Sequence, residues 1–320
     1  MGERTAADNL IWAYLLHLSY NMWGDRQVPN APYYMYRPYL RCEDSLWNEI
    51  VNRMPEAGVN TVVIDLGDGV QYQSHPEIAV QNAWPISKLK DQLARMRELK
   101  LEPVPKLNFS TCHDAWMGPY ARRVSSPEYY SFAKDIIAEV IEIFGGGGGG
   151  GGGGSLRLFH LGMDEEALVH QRHFEYVVIR QHDLWWRDFQ FLVDQLTAKK
   201  VRPWIWSDNI WARPDEFVAR MPKNVMQSNW YYGKEFDNRT EVKAYRDLEA
   251  GGFDQIPTFS NWEDPENVYN TVRFCKANIG ADRLKGFLHA PWRPTLEEVR
   301  HRHMAALEEV GKAREIYVGD

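Results

Sequence analysis

The chain has 320 residues, 44% hydrophobic and 25% charged, the balance of a globular protein able to bury a sizeable core, whether as one domain or two. Its formal net charge of -7, with no cluster of Lys and Arg, excludes the basic stripe that a nucleic-acid partner requires. Three scattered cysteines, Cys42, Cys112 and Cys275, form no CxxC pair, which excludes a disulfide framework or zinc knuckle and leaves them as incidental free thiols.

The first apolar run, 10–18, contains His17, is too short to span a bilayer and lacks a signal-peptide pattern. A soluble chain with no membrane partner is expected, native export being left open. Apolar, β-branched and aromatic runs recur at 60–66, 102–109, 156–161, 202–207, 224–230, 256–260 and 285–290, making eight candidate strands. Helical patterns follow them at 44–57, 85–99, 127–143, 183–200, 214–221, 241–250, 265–277 and 295–312. Several open with helix-start chemistry: Ser126-Pro127, Arg213-Pro214, Asp264-Pro265, and Thr295 with Glu298 as a capping box. Ten consecutive glycines at 145–154 are foreign to this pattern and read as a flexible linker or replaced loop.

Eight strands each followed by a helix predict a single α/β domain of the (β/α)8 barrel class, 1–320. No GxGxxG or P-loop follows a strand, so a doubly wound nucleotide-binding sheet loses support. In a barrel the chemistry lies at the C-terminal strand ends, and the glycine run, which precedes strand four, falls on the opposite face.

The strand ends hold a consistent set of side chains. Strand two is followed by Asp68, strand three by His113, strand four by His160, Asp164, Glu165 and Glu166, strand five by Trp206 and Asp208, strand six by Trp230 and Tyr232, and strand eight by Trp292. The chain carries 13 Trp and 16 Tyr, and planar rings beside carboxylates, amides and imidazoles suit a carbohydrate, whose CH faces stack while its hydroxyls need polar partners. At strand four, two acids in different environments could divide acid and orienting roles, with Gly162 supplying a bend. The same acids would also suit a helix N-terminus. No HExxH or tight ligand spacing is present, so no metal and no cofactor are expected, and no GxSxG elbow supports acyl transfer.

The run His160-Leu161-Gly162-Met163-Asp164-Glu165 resembles the His-x-Gly-Gly-Asp-Glu signature of glycoside hydrolase family 20, the β-N-acetylhexosaminidase type. The likeness extends to Pro103 through His113, to Trp204-Ile205-Trp206-Ser207-Asp208 and to Ala290-Pro291-Trp292. Departures are Met163 in place of the second glycine, the lack of an arginine on strand one, and Asn209 after Asp208. The resemblance implies an exo-acting glycosidase in which Glu165 is the general acid/base and Asp164 orients the substrate's 2-acetamido group, whose oxygen attacks the anomeric carbon. It implies that His160 and His113 line or support the pocket, with Trp206, Trp230 and Trp292 walling the sugar. A carbohydrate-binding barrel without turnover, and a metal-dependent sugar isomerase or epimerase, remain alternatives on the same residues.

Overall fold

A computed structural model of the protein describes residues 10–24, 34–145 and 155–319. Among these, eight parallel strands form one sheet: β1 Ile11–His17, β2 Thr61–Asp65, β3 Glu102–Lys106, β4 Leu158–His160, β5 Arg202–Trp206, β6 Met226–Ser228, β7 Thr258–Phe259 and β8 Gly286–His289. Their order, β6-β5-β4-β3-β2-β1-β8-β7, is that of a barrel opened between β6 and β7. Backbone bonds close that seam: the amides of Ile256 and Thr258 donate to the carbonyls of Gln227 and Asn229, each at 2.9 Å. The molecule is therefore an α/β (β/α)8 barrel, as the strand and helix count predicts.

The eight barrel helices are α1 Asp44–Arg53, α2 Ile86–Glu98, α3 Pro127–Gly145, α4 Asp183–Thr197, α5 Pro214–Arg220, α6 Thr240–Ala250, α7 Asn267–Asn278 and α8 Arg300–Gly319. The longer helices pack apolar faces inward; in α4 these residues are Trp185, Phe189, Leu192, Val193 and Leu196, the spacing of one helical face. Ser126 Oγ accepts the Tyr129 amide at 3.2 Å, capping α3 ahead of Pro127. The expected capping box at Thr295 and Glu298 is not formed. Thr295 Oγ1 instead donates to the His17 carbonyl at 2.6 Å, and α8 begins only at Arg300. No helix among the described residues is long and apolar enough to cross a membrane. Gly145 is the last residue of α3, and the rest of the glycine run lies outside the described residues.

Alternation along the strands sorts two cores. Trp12, Tyr14, Leu16, Val62, Ile64, Phe159 and Ile205 face the helices. Ala13, Leu15, Val63, Val104, Leu158, Trp204, Met226 and Leu288 fill the barrel. One layer nearer the C-terminal ends the filling turns polar, with His17 registered opposite Asp65, Asp65 opposite Lys106 and Lys106 opposite His160. Lys106 Nζ lies 2.6 Å and His17 Nδ1 3.2 Å from Asp65 Oδ2, so this charged layer is internally paired beneath the barrel mouth.

Candidate active site

The strand-four acids reach the mouth through a bend. β4 ends at His160, and Gly162, Met163 and Glu165 then take positive φ of 70°, 78° and 58°. A Cβ on Gly162 would lie 2.0 Å from Asn108 Oδ1, so only glycine fits against the end of β3. Asn108 ties the two strand ends together: its Oδ1 accepts the Met163 and Ser110 amides at 3.1 Å, and its Nδ2 donates to Asp164 Oδ1 at 2.7 Å. Ser110 Oγ also donates to the Asp164 carbonyl. The bend turns two consecutive carboxylates into one pocket.

His113 Nε2 sits between those carboxylates, 3.2 Å from Asp164 Oδ2 and 3.2 Å from Glu165 Oε2. Burial disfavours its charged form, but the two carboxylates outweigh burial and lift His113 to about 10. Burial likewise opposes ionisation of Asp164, yet His113, Lys106 and the Asn108 amide hold it well below the usual carboxylate range. Asp208 stands behind: its Oδ2 accepts the Glu165 amide at 2.8 Å, and burial, then the Asp164 charge, push it up to about 8. Of His113 and its two carboxylate neighbours, Glu165 is the most accessible, at 21% side-chain exposure against 7% for Asp164 and 4% for His113. A buried anion, an imidazolium and an accessible carboxyl group are thus packed at one wall.

Met22, Trp23, Tyr34, Trp230, Tyr232, Trp262 and Trp292 complete a cavity of about 280 Å³. Trp292 Nε1 donates to Tyr232 Oη at 2.9 Å, and Tyr232 stacks on Trp230 with ring centroids 5.1 Å apart. A larger cavity of about 530 Å³ lies at the opposite barrel end, among Ile11, Thr61, Glu102, Arg157, Arg202 and Lys285. It brings no His or Cys together with its single carboxylate, whereas the smaller cavity gathers the carboxylates of Asp164 and Glu165 with two imidazoles.

Of the residues singled out from sequence, Asp164, Glu165, His113, Trp230, Tyr232 and Trp292 line this cavity. Four do not. His160 is fully buried in the barrel, where burial and Lys106 hold it neutral, its Nδ1 accepting the Gly162 amide at 3.0 Å. It steadies the bend from below. Trp206 is its neighbour, 4.4 Å away between ring centroids and 5.7 Å from Trp292, and so forms part of the floor under the aromatic wall. Asp208 supports Glu165 from behind. Asp68 is buried beside β1, where Ser19 Oγ and Asn21 Nδ2 donate to it at 2.5 and 2.9 Å, away from the lining.

The lining also contains His170, whose Nδ1 lies 3.4 Å from Glu165 Oε1. Cys112, taken as incidental, sits with Sγ 3.8 Å from Glu165 Oε2. Glu166 belongs elsewhere: it is clamped by Arg180, whose amide, Nε and Nη2 donate to it at 2.7, 2.9 and 2.7 Å.

No protein-family model and no curated protein matches the chain in sequence. Solved structures match it in fold. The β-N-acetylhexosaminidase from Bacteroides fragilis NCTC 9343 is similar with a TM-score of 0.62 and 13% identity, covering 94% of this chain and 66% of that one. The family 20 exo-β-N-acetylglucosaminidase from Vibrio harveyi in complex with N-acetylglucosamine gives 0.62 and 12%, covering 94% of this chain and 54% of that one. Dispersin B gives 0.56 and 15%, covering 94% and 98% respectively. The chain thus spans just under two thirds of the first of these proteins and about half of the second, and what it shares with all three, over nearly its whole length, is the barrel fold.

Proposed function

We propose that the protein is a glycoside hydrolase that removes a terminal 2-acetamido sugar with retention of configuration, with Glu165 as general acid/base and Asp164 as the residue that orients the acetamido group. The observation that carries this reading is the pairing of Asp164 and Glu165 across one imidazole nitrogen inside an aromatic-walled cavity. At about 280 Å³ the cavity lies near the low end of ligand sites, about 300 Å³, which favours one sugar ring and hence exo action.

Each residue has a defined task. Trp230, Tyr232 and Trp292 stack on the ring. Asp164, kept anionic by His113 and Asn108, accepts the acetamide N–H and turns the carbonyl oxygen toward the anomeric carbon. As that oxygen bonds to the carbon, the glycosidic bond breaks and Glu165 transfers its proton to the departing oxygen. Glu165, now a carboxylate, takes a proton from the water that opens the cyclic intermediate, which restores both the acid and the original anomeric configuration. This route needs no enzyme nucleophile, unlike the usual pair of carboxylates.

Chromogenic glycosides test it. Turnover of N-acetylglucosaminide or N-acetylgalactosaminide, absent with glucoside and galactoside and reduced roughly 10²-fold or more by Glu165→Gln, is expected. Equal turnover of sugars without the acetamide would remove the role given to Asp164, and no turnover of any would favour a sugar-binding barrel.

A further inference from the structure

We propose that the barrel mouth holds a binding site for a borderline divalent cation such as Zn²⁺, formed by Cys112 Sγ, His113 Nε2 and Glu165 Oε2. Among the described residues this is the one group of three or more His, Cys, Asp or Glu whose ligand atoms converge; those of Cys112, His113 and Glu165 lie within 4.8 Å of one another. The separations within the group are 3.2 Å for Nε2 to Oε2 and 3.8 Å for Sγ to Oε2. A tetrahedral ion with bonds of about 2.0 to 2.3 Å sets its ligand atoms about 3.3 to 3.8 Å apart, so the two edges at Glu165 are close to those required. The sulfur, nitrogen and oxygen donor set is one that zinc accepts and that magnesium or calcium does not favour.

The local chain builds the site by folding two consecutive residues inward. The His113 amide donates to the Ser110 carbonyl and the Cys112 amide to Ser110 Oγ, each at 3.1 Å, so the turn is set before any ion arrives. The cation would replace the proton that His113 Nε2 shares with the two carboxylates, and the Cys112 thiol proton would leave with it. The thiolate and the Glu165 carboxylate then balance the 2+ charge, and the cavity gives the ion a path from solvent.

This assignment has a consequence that rests on the proposed function. A cation held by Glu165 occupies the carboxylate needed for proton transfer, so metal and sugar exclude one another and the ion is an inhibitor.

The test is titration of the purified full chain with Cd²⁺, read through the ultraviolet thiolate-to-cadmium charge-transfer band, and with Zn²⁺ by calorimetry. One equivalent is expected to produce the band, which persists in Cys42→Ser and disappears in Cys112→Ser. Because Cys112 is fully buried, Glu165→Gln serves as a second variant that keeps the side chain's shape: Zn²⁺ affinity is expected to fall by at least the roughly tenfold that even outer-shell losses cost. A band that survives Cys112→Ser, no band at stoichiometric Cd²⁺ in the native chain, or unchanged Zn²⁺ affinity in Glu165→Gln would overturn the site. Metal binding without glycoside turnover would leave the site standing and remove the function above, and turnover without metal binding would do the reverse.

Discussion

At the scale of single residues the strand-four bend concentrates the cost of the site. Met163 holds a φ of 78° that favours glycine, yet its side chain is 1% exposed and packs in the outer core, so burial offsets the backbone strain. Gly162 has no such latitude, since any Cβ meets Asn108. Gly162→Ala is expected to destabilise the fold by about 2 to 5 kcal/mol in urea titration, combining an unfavourable φ with a displaced Asn108. Activity should fall with it, because Asn108 is the neutral donor that fixes Asp164; unchanged turnover would detach Asn108 from the site.

At the scale of elements, Arg180 links three separate segments. It donates to Glu166 after β4, to Asp188 of α4 at 3.2 Å and to the Phe109 carbonyl after β3 at 2.9 Å, all with little exposure. Arg180→Gln leaves buried Glu166 without its cation and Asp188 with only the more distant Arg187, at 3.9 Å, and should cost about 3 to 5 kcal/mol in denaturant unfolding. A loss below about 1 kcal/mol, typical of an exposed pair, would show that solvent reaches the clamp. The elements themselves were legible because barrel strands are buried on both faces and therefore appear as short continuous apolar runs. Their ends were less so. The run 102–109 continues past β3 as extended chain, with the Leu107 and Phe109 amides bonded to the His160 and Leu161 carbonyls at 3.0 Å, which no local pattern separates from strand. Thr295 misled because a tertiary partner, the His17 carbonyl, took the hydroxyl a cap would have used. Asp164 and Glu165 stood out as acids directly after an apolar strand. His170 and Cys112 did not, because their places depend on how irregular loops fold over the mouth. Of the two roles open to His160, lining or supporting the pocket, its register opposite Lys106 inside the barrel fits the second.

At the scale of the whole molecule the buried titratable groups set a pH window for stability. Burial first of all raises Asp68 to about 7, Asp114 to about 6 and Asp208 to about 8, so each binds its proton more tightly folded than unfolded. Their contribution is complete below about pH 4 and is lost as pH rises through those values. His113, raised to about 10 by the site carboxylates against its burial, loses its contribution from about pH 6.5 upward. His17 and His160 are lowered by burial and act in the opposite sense, adding stability as pH rises toward 6.5. Asp65, lowered to about 2, and Asp164, lowered likewise, contribute in full above about pH 4 and lose that contribution as pH falls from there through their folded-state values. These effects oppose one another between about pH 4 and 6.5, and above that only losses remain. The melting temperature is expected to be broadly flat over that interval and to fall from about pH 6.5 to 8, with a limiting slope of about 1.4 kcal/mol per pH unit for each group. A melting temperature that rises from pH 6.5 to 8 would contradict the charge states assigned to Asp208 and His113. The aromatic wall carries a different consequence. Trp23, Trp230, Trp262 and Trp292 all face one small cavity, with Trp206 beneath, so a ligand that enters displaces water from several indoles at once. The protein thereby carries its own optical probe: a bound sugar should shift tryptophan emission to shorter wavelength, letting occupancy be titrated in unlabelled protein before any substrate is turned over.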